Sequence, residues 1–131
     1  MLLDTSGLFC LHHADDLRHH DAVIRYRARP RWLTSSYVLS EFVALANARR
    51  LSREGALVFM RDLLDNPAIE VVWVDEVIHR QTLDLLQARL DKTYSLCDAV
   101  SFVIMRERGI TDALTTDHHF EQEGFVRLLK P

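Results

Sequence analysis

The chain has 131 residues, 48% of them hydrophobic and 27% charged, with only four glycines and three prolines. That balance excludes a disordered, collagen-like or low-complexity chain and suits one domain, residues 1–131, with a core that needs no staples. Cys10 and Cys97 are too few for a disulfide framework and lack zinc-site spacing, which fits a reducing, cytoplasmic setting. No run nears the ~18 apolar residues of a membrane span, and Asp4 falls where a signal peptide would be basic or apolar. The net charge of −3 argues against a general polyanion binder, yet among the 16 basic residues only Lys92 and Lys130 are lysines. Arg25, Arg27, Arg29 and Arg31 alternate along one segment, and Arg49, Arg50 and Arg53 form a second group. Arginine suits bidentate phosphate contact, with a solvated helix face as the plainer reading.

In chain order, Met1-Leu2-Leu3 reads as a strand, followed by a tight turn at Asp4-Thr5-Ser6-Gly7 and a helix through Leu8–Leu11. A second helix starts at Asp15-Asp16 and is stopped by Pro30. Trp32–Thr34 is a short strand. Ser35-Ser36 caps a helix from Tyr37 to about Arg50, and Ser52 caps the next, with Leu57, Met60, Leu63 and Leu64 at helical spacing. Val71–Val74 lacks polar alternation, as in a strand covered on both faces. A helix with Ile78, Leu85 and Leu86 inward follows. Ser95 then caps an apolar, central helix, Leu96 to Arg108, closed by Gly109. Ala113–Thr116 is a strand, Asp117 opens a short helix, and Val126–Leu129 is the last strand. Strands alternating with helices predict an α/β three-layer sandwich around a parallel sheet of about five strands.

In such a sheet, ligands sit beyond the carboxyl ends of the strands. Four acids attach to strand ends or to the helix starts they lead into: Asp4, Glu41, Asp98 and Asp117. Each has a local explanation. Asp4 caps its turn, Asp98 completes a Ser95-x-x-Asp98 capping box, Asp117 caps the short helix, and Glu41 faces solvent. Together they read differently, because Glu41 and Asp98 lie inside apolar stretches and capping does not account for Glu41. An all-oxygen donor set suits Mg²⁺ or Mn²⁺, which activates water and polarises a phosphodiester, singly or as a pair about 3.5–4 Å apart. Hydroxyls at Thr5, Ser6, Ser95 and Thr116 flank the acids and can orient them. Setting the four acids aside takes the net charge from −3 to +1.

Asp4-Thr5-Ser6, Ser36-x-x-x-x-Glu41, Ser95-Leu96-x-Asp98-Ala99 with Ser101-Phe102-x-x-Met105, Gly109-Ile110, and Ala113-Leu114-Thr115-Thr116-Asp117-x-x-Phe120-x-x-x-Gly124-Phe125 together resemble the PIN-domain family, and most closely its small VapC-type toxins. The resemblance covers the whole chain. It implies a Mg²⁺- or Mn²⁺-dependent endoribonuclease with Asp4, Glu41, Asp98 and Asp117 as catalytic, metal-holding acids. It also implies a homodimer and an antitoxin that blocks the site. His118 stands where a basic Arg is common and is a candidate RNA contact beside Arg25, Arg27, Arg29 and Arg31. The alternatives are a non-catalytic RNA- or protein-binding module of the same fold, or a receiver-like phosphoacceptor domain. The latter lacks its second N-terminal acid and its late Lys.

Overall fold

A computed structural model describes all 131 residues. Five strands form one sheet: β1 (Leu2–Leu3), β2 (Trp32–Ser35), β3 (Ile69–Val72), β4 (Asp112–Leu114) and β5 (Val126–Arg127). Their order is β3-β2-β1-β4-β5 and every pairing is parallel. Seven helices connect them: α1 (Thr5–His12), α2 (His19–Arg27), α3 (Ser36–Ala48), α4 (Arg53–Asp65), α5 (Glu76–Gln87), α6 (Leu96–Arg108) and α7 (His119–Gln122). The predicted α/β class and strand count are what the structure has. No helix is long and apolar enough to cross a membrane.

The strand pleat sorts side chains into two cores. Leu3, Trp32 and Leu114 join Leu8, Val38, Phe42, Ala56 and Leu63 on the face covered by α1 to α4. Leu2 and Ala113 join Phe102, Met105, Tyr94 and Phe120 on the other face, and Leu33 meets Val100 and Ile104 of α6 there. Phe42, Phe102 and Phe120 are fully buried, each contributing about 2–3 kcal/mol of apolar transfer. Helix α6 is apolar around most of its girth because it lies between the sheet and α5. Its ends follow the sequence: a Ser95–Asp98 capping box opens it, and Gly109, at φ 67°, closes it.

Several boundaries differ from expectation. No turn separates β1 from α1, because the helix begins at Thr5 directly after Asp4. Helix α2 starts at His19, and Asp16 instead accepts the Arg18 backbone N–H at 2.8 Å. β3 is an edge strand and only partly buried: Ile69 and Val71 pack on the α1–α4 face, Val72 and Val74 on the α6 face, while Trp73 is 66% exposed. On α4 it is Ala56 and Leu63 that are buried, while Leu57 and Leu64 are exposed. At the edge of the sheet the layers on either face cover the run only in part.

Candidate functional site

The acids are positioned by the parallel register. Leu3 pairs with Leu114, so the residues that follow, Asp4 and Thr115, leave the sheet side by side. The Asp4 N–H still donates to Leu114 O at 3.2 Å. Helix α1 then crosses so close to β4 that a Cβ on Gly7 would lie 2.0 Å from Leu114 O. Only glycine permits this approach, which seats the first turn of α1 over the end of β4.

Asp4 is 4% exposed and makes no side-chain capping bond to α1. Capping therefore does not explain it. Its Oδ2 instead accepts from Thr115 Oγ1 at 2.7 Å and from Ser6 Oγ at 3.2 Å. Burial pushes the Asp4 pKa up to about 7; the Thr115 bond opposes this, and the Asp98 and Glu41 charges add to it. Asp98 is 7% exposed, and its carboxyl is also raised, chiefly by burial and further by Asp117. The capping box and the site share this one carboxylate: Asp98 Oδ2 accepts the Ser95 N–H at 3.1 Å, and Ser95 Oγ accepts the Asp98 N–H at 3.0 Å. Asp117 is partly buried and accepts the His119 backbone N–H on Oδ1 at 2.9 Å. Glu41 is exposed, in the second turn of α3, and its charge acts on both Asp4 and the Cys97 thiol. All four acids thus converge on one rim.

The supporting hydroxyls are only partly those expected. Ser6 Oγ touches Asp4 and Thr115 Oγ1 and accepts the Thr116 N–H. Thr115, not Thr116, is the hydroxyl on Asp4; Thr116 contributes its backbone, giving its carbonyl to Arg127 at 3.1 Å. The side chain that follows Leu114 leaves the sheet on the Asp4 side and the next one does not, as strand alternation dictates. Thr5 is 3% exposed, and its Oγ1 has no nitrogen or oxygen partner and meets only the buried Cys97 thiol, a weak hydrogen-bonding group. Carboxylates crowded at one rim fit a site able to receive a hydrated cation.

His119 also escaped the sequence reading. Its Nδ1 lies 3.2 Å from Asp98 Oδ2 and 3.3 Å from Asp117 Oδ1. His118 is exposed, 3.6 Å from Asp117. The arginine stripe lies elsewhere. Arg29 pairs at 2.8 Å with Asp112, the first residue of β4, and Arg31 immediately precedes β2. Both therefore sit at the amino ends of the strands, opposite the acids. Arg25 is held by Asp21 at 3.0 Å and Arg27 is exposed at the end of α2.

An open parallel α/β sheet with buried acids gathered at its carboxyl rim defines the class: an acidic, oxygen-donor site on a doubly covered sheet. The PIN domain family matches residues 1–125, and the chain belongs to that family. It is 32% identical over 129 residues, 98% of its length and 97% of the relative's, to the "23S rRNA-specific endonuclease VapC20" of Mycobacterium tuberculosis. The crystal structure of Mycobacterium tuberculosis VapC20, described as a "Sarcin-Ricin loop cleaving toxin", superposes with a TM-score of 0.87 over 95% of each chain at 32% identity. VapBC2 from Rickettsia felis, bound to a promoter DNA fragment, shares the fold with a TM-score of 0.65 at 11% identity over 96% of this chain and 94% of that one. FitAcB from Neisseria gonorrhoeae does so at 0.63 and 16%, with the same coverage.

Proposed function

We propose that this protein is a metal-dependent endoribonuclease of the VapC toxin type. Asp4, Glu41, Asp98 and Asp117 hold Mg²⁺ or Mn²⁺, and RNA is hydrolysed at a phosphodiester bond. The observation that carries this reading is the burial of Asp4 among other acids, with its pKa lifted to about 7. Like charges crowded out of water with no Lys or Arg acting on Asp4 or Asp98 are what a divalent ion would compensate. The donor set is all oxygen, the preference of hard cations.

A bound cation would supply Lewis-acid activation of water and of a phosphodiester oxygen. The rest falls to the chain's own groups. Ser6 and Thr115 fix the Asp4 carboxylate by donating to one of its oxygens, and Ser95 does the same for Asp98. His118, exposed beside Asp117, stands where it can meet substrate phosphate. The likeness to VapC20 makes large-subunit ribosomal RNA the first substrate to test. A toxin of this kind acts with a cognate antitoxin as partner, and the family resemblance supports a single-domain chain that works as a homodimer in the cytoplasm.

The test is cleavage of ribosomal RNA in Mg²⁺ or Mn²⁺ and in excess EDTA, with Asp98→Asn as the control for contaminating nuclease. Metal-dependent cleavage that Asp98→Asn abolishes is the expected result. Undiminished cleavage in EDTA refutes the metal reading. Binding of RNA without cleavage in any metal favours a non-catalytic module of the same fold.

A further inference from the structure

Two of the acids assigned to the cation lie against a single ring nitrogen that the acidic quartet leaves out. We propose that His119 is a positioning residue, whose Nδ1–H holds Asp98 while the ring edge rests against Asp117, and which leaves the second oxygen of each acid free for the cation. The proposal rests on the metal-site reading above.

His119 Nδ1 faces Asp98 Oδ2 at 3.2 Å in a hydrogen bond and approaches Asp117 Oδ1 at 3.3 Å. A carboxylate that holds a cation is ionised and has no proton to give, so in the loaded site the hydrogen toward Asp98 belongs to Nδ1. Nε2 then accepts from Thr93 Oγ1, 3.1 Å away on the α5–α6 connection. The same Asp98 Oδ2 takes the Ser95 N–H, and the same Asp117 Oδ1 takes the His119 backbone N–H. Asp98 Oδ2 is thus doubly committed and Asp117 Oδ1 singly, while Asp98 Oδ1 and Asp117 Oδ2 have no hydrogen-bond partner. Were Nδ1 itself the ligand, it would lose this hydrogen and turn a lone pair toward two carboxylates.

The ring is well held. Its side chain is 16% exposed and its edge rests on Tyr94, with centroids 5.4 Å apart at 67°. The Tyr94 hydroxyl in turn donates to Glu123, a carboxylate clamped by Arg89 and Arg106. This network joins the acids to the buried face of α6. Groups that orient ligands in this way typically cost about 10–100-fold in metal affinity when removed.

Asparagine and glutamine separate the two ring nitrogens. His119→Asn places an amide N–H near the position of Nδ1, while His119→Gln reaches toward Nε2 and gives up the donor to Asp98. Mn²⁺ affinity is read by the EPR signal of free Mn²⁺, and melting in EDTA reports that each variant folds. Wild type should bind Mn²⁺, His119→Asn should stay within about threefold of it, and His119→Gln and His119→Ala should lose about tenfold. Thr93→Val, which keeps the ring and both acids, should weaken binding by a few-fold; it decides the matter if the His119 variants do not fold, and unchanged affinity then overturns the proposal. Equal affinity in every His119 variant overturns it while the metal site stands. Equal loss in Asn and Gln variants also overturns it, because the ring as a whole then matters and not its donor. A wild type that binds no Mn²⁺ overturns the metal site first, and this proposal with it.

Discussion

The two rims of the sheet carry charge in opposite ways. At the amino ends of the strands, charges meet their opposites: Arg29 with Asp112 at 2.8 Å and Arg108 with Glu70 at 2.8 Å, all at least partly exposed. At the carboxyl ends, acids meet acids, and two of them are buried. The first pattern lowers energy locally and requires nothing further. The second raises it and persists because the fold imposes it, which is the mark of a site that stores electrostatic cost for a ligand. Arginine abundance in the sequence drew attention to Arg29 and Arg31, which lie at the amino rim, away from the crowded acids.

The contrast can be broken experimentally, beginning with activity. Asp4→Asn or Asp98→Asn should lower metal-dependent RNA cleavage by at least about 100-fold with the fold intact. The Arg29→Ala, Arg31→Ala double variant should cleave like wild type. A large loss in the double variant would return the amino rim to the RNA-binding surface.

Gly7→Ala comes next, because its Cβ would clash with the Leu114 carbonyl at 2.0 Å. Backbone must shift on one side or the other, costing about 2–3 kcal/mol. Thermal melting should show a fall of several degrees, and cleavage should fall too, as Asp4 moves relative to Thr115. A variant that melts like wild type would show that the close approach of α1 to β4 is not needed.

The buried acid gives a pH signature in metal-free protein. Asp4 holds its proton to about pH 7 in the folded chain, well above the ordinary aspartate value in the unfolded one. Between about pH 4 and 7 the unfolded chain releases a proton that the native state keeps, so stability falls as pH rises and the penalty is complete above 7. Asp4→Asn removes that share. In EDTA it should melt higher than wild type by roughly 2–6 °C at pH 8, about 1 kcal/mol, with a smaller gap at pH 5. It should also lose most of the stabilisation that Mn²⁺ gives wild type. A variant that melts lower than wild type and keeps the full metal shift would remove Asp4 from the site.

The smallest effect belongs to the amino rim. Arg108→Ala breaks an exposed pair with Glu70 and should cost well under ~1 kcal/mol. The salt slope of RNA binding should stay unchanged in this variant and in Arg29→Ala. A flattened slope would mean that these residues touch phosphate after all.

Much of this was legible in the chain. The Ser95–Asp98 capping box, Gly109 at the end of α6 and the Ser35 and Ser52 caps follow local rules, and local rules carry between sequences. The four acids were legible as residues at strand ends or in the opening turns of the helices that follow. His119 was not: adjacent histidines diverge on a helix, so the pair His118-His119 offered no ligand spacing. The rule does not apply, because His118 precedes α7 as its cap: the two rings lie 4.5 Å apart, both bring a nitrogen near Asp117, and His119 also meets Asp98. Thr115 was hidden in Thr-Thr-Asp, where only strand direction tells which hydroxyl turns toward β1. The exposure of Trp73 was hidden because an apolar run looks the same in a central strand and at an edge.

By itself, then, the sequence determined the periodicity, the caps, the parallel α/β class and the identity of the acids, since each depends on residues within a turn or two of one another. The tertiary structure alone decided which charges meet. Strand order puts Asp4 beside Thr115 across 111 positions, packs α6 so that Asp98 is buried, and sends Arg29 to Asp112 at the far rim. Those outcomes depend on distances between elements far apart in the chain, and desolvation, which lifts the Asp4 pKa, exists only once the layers have closed over it.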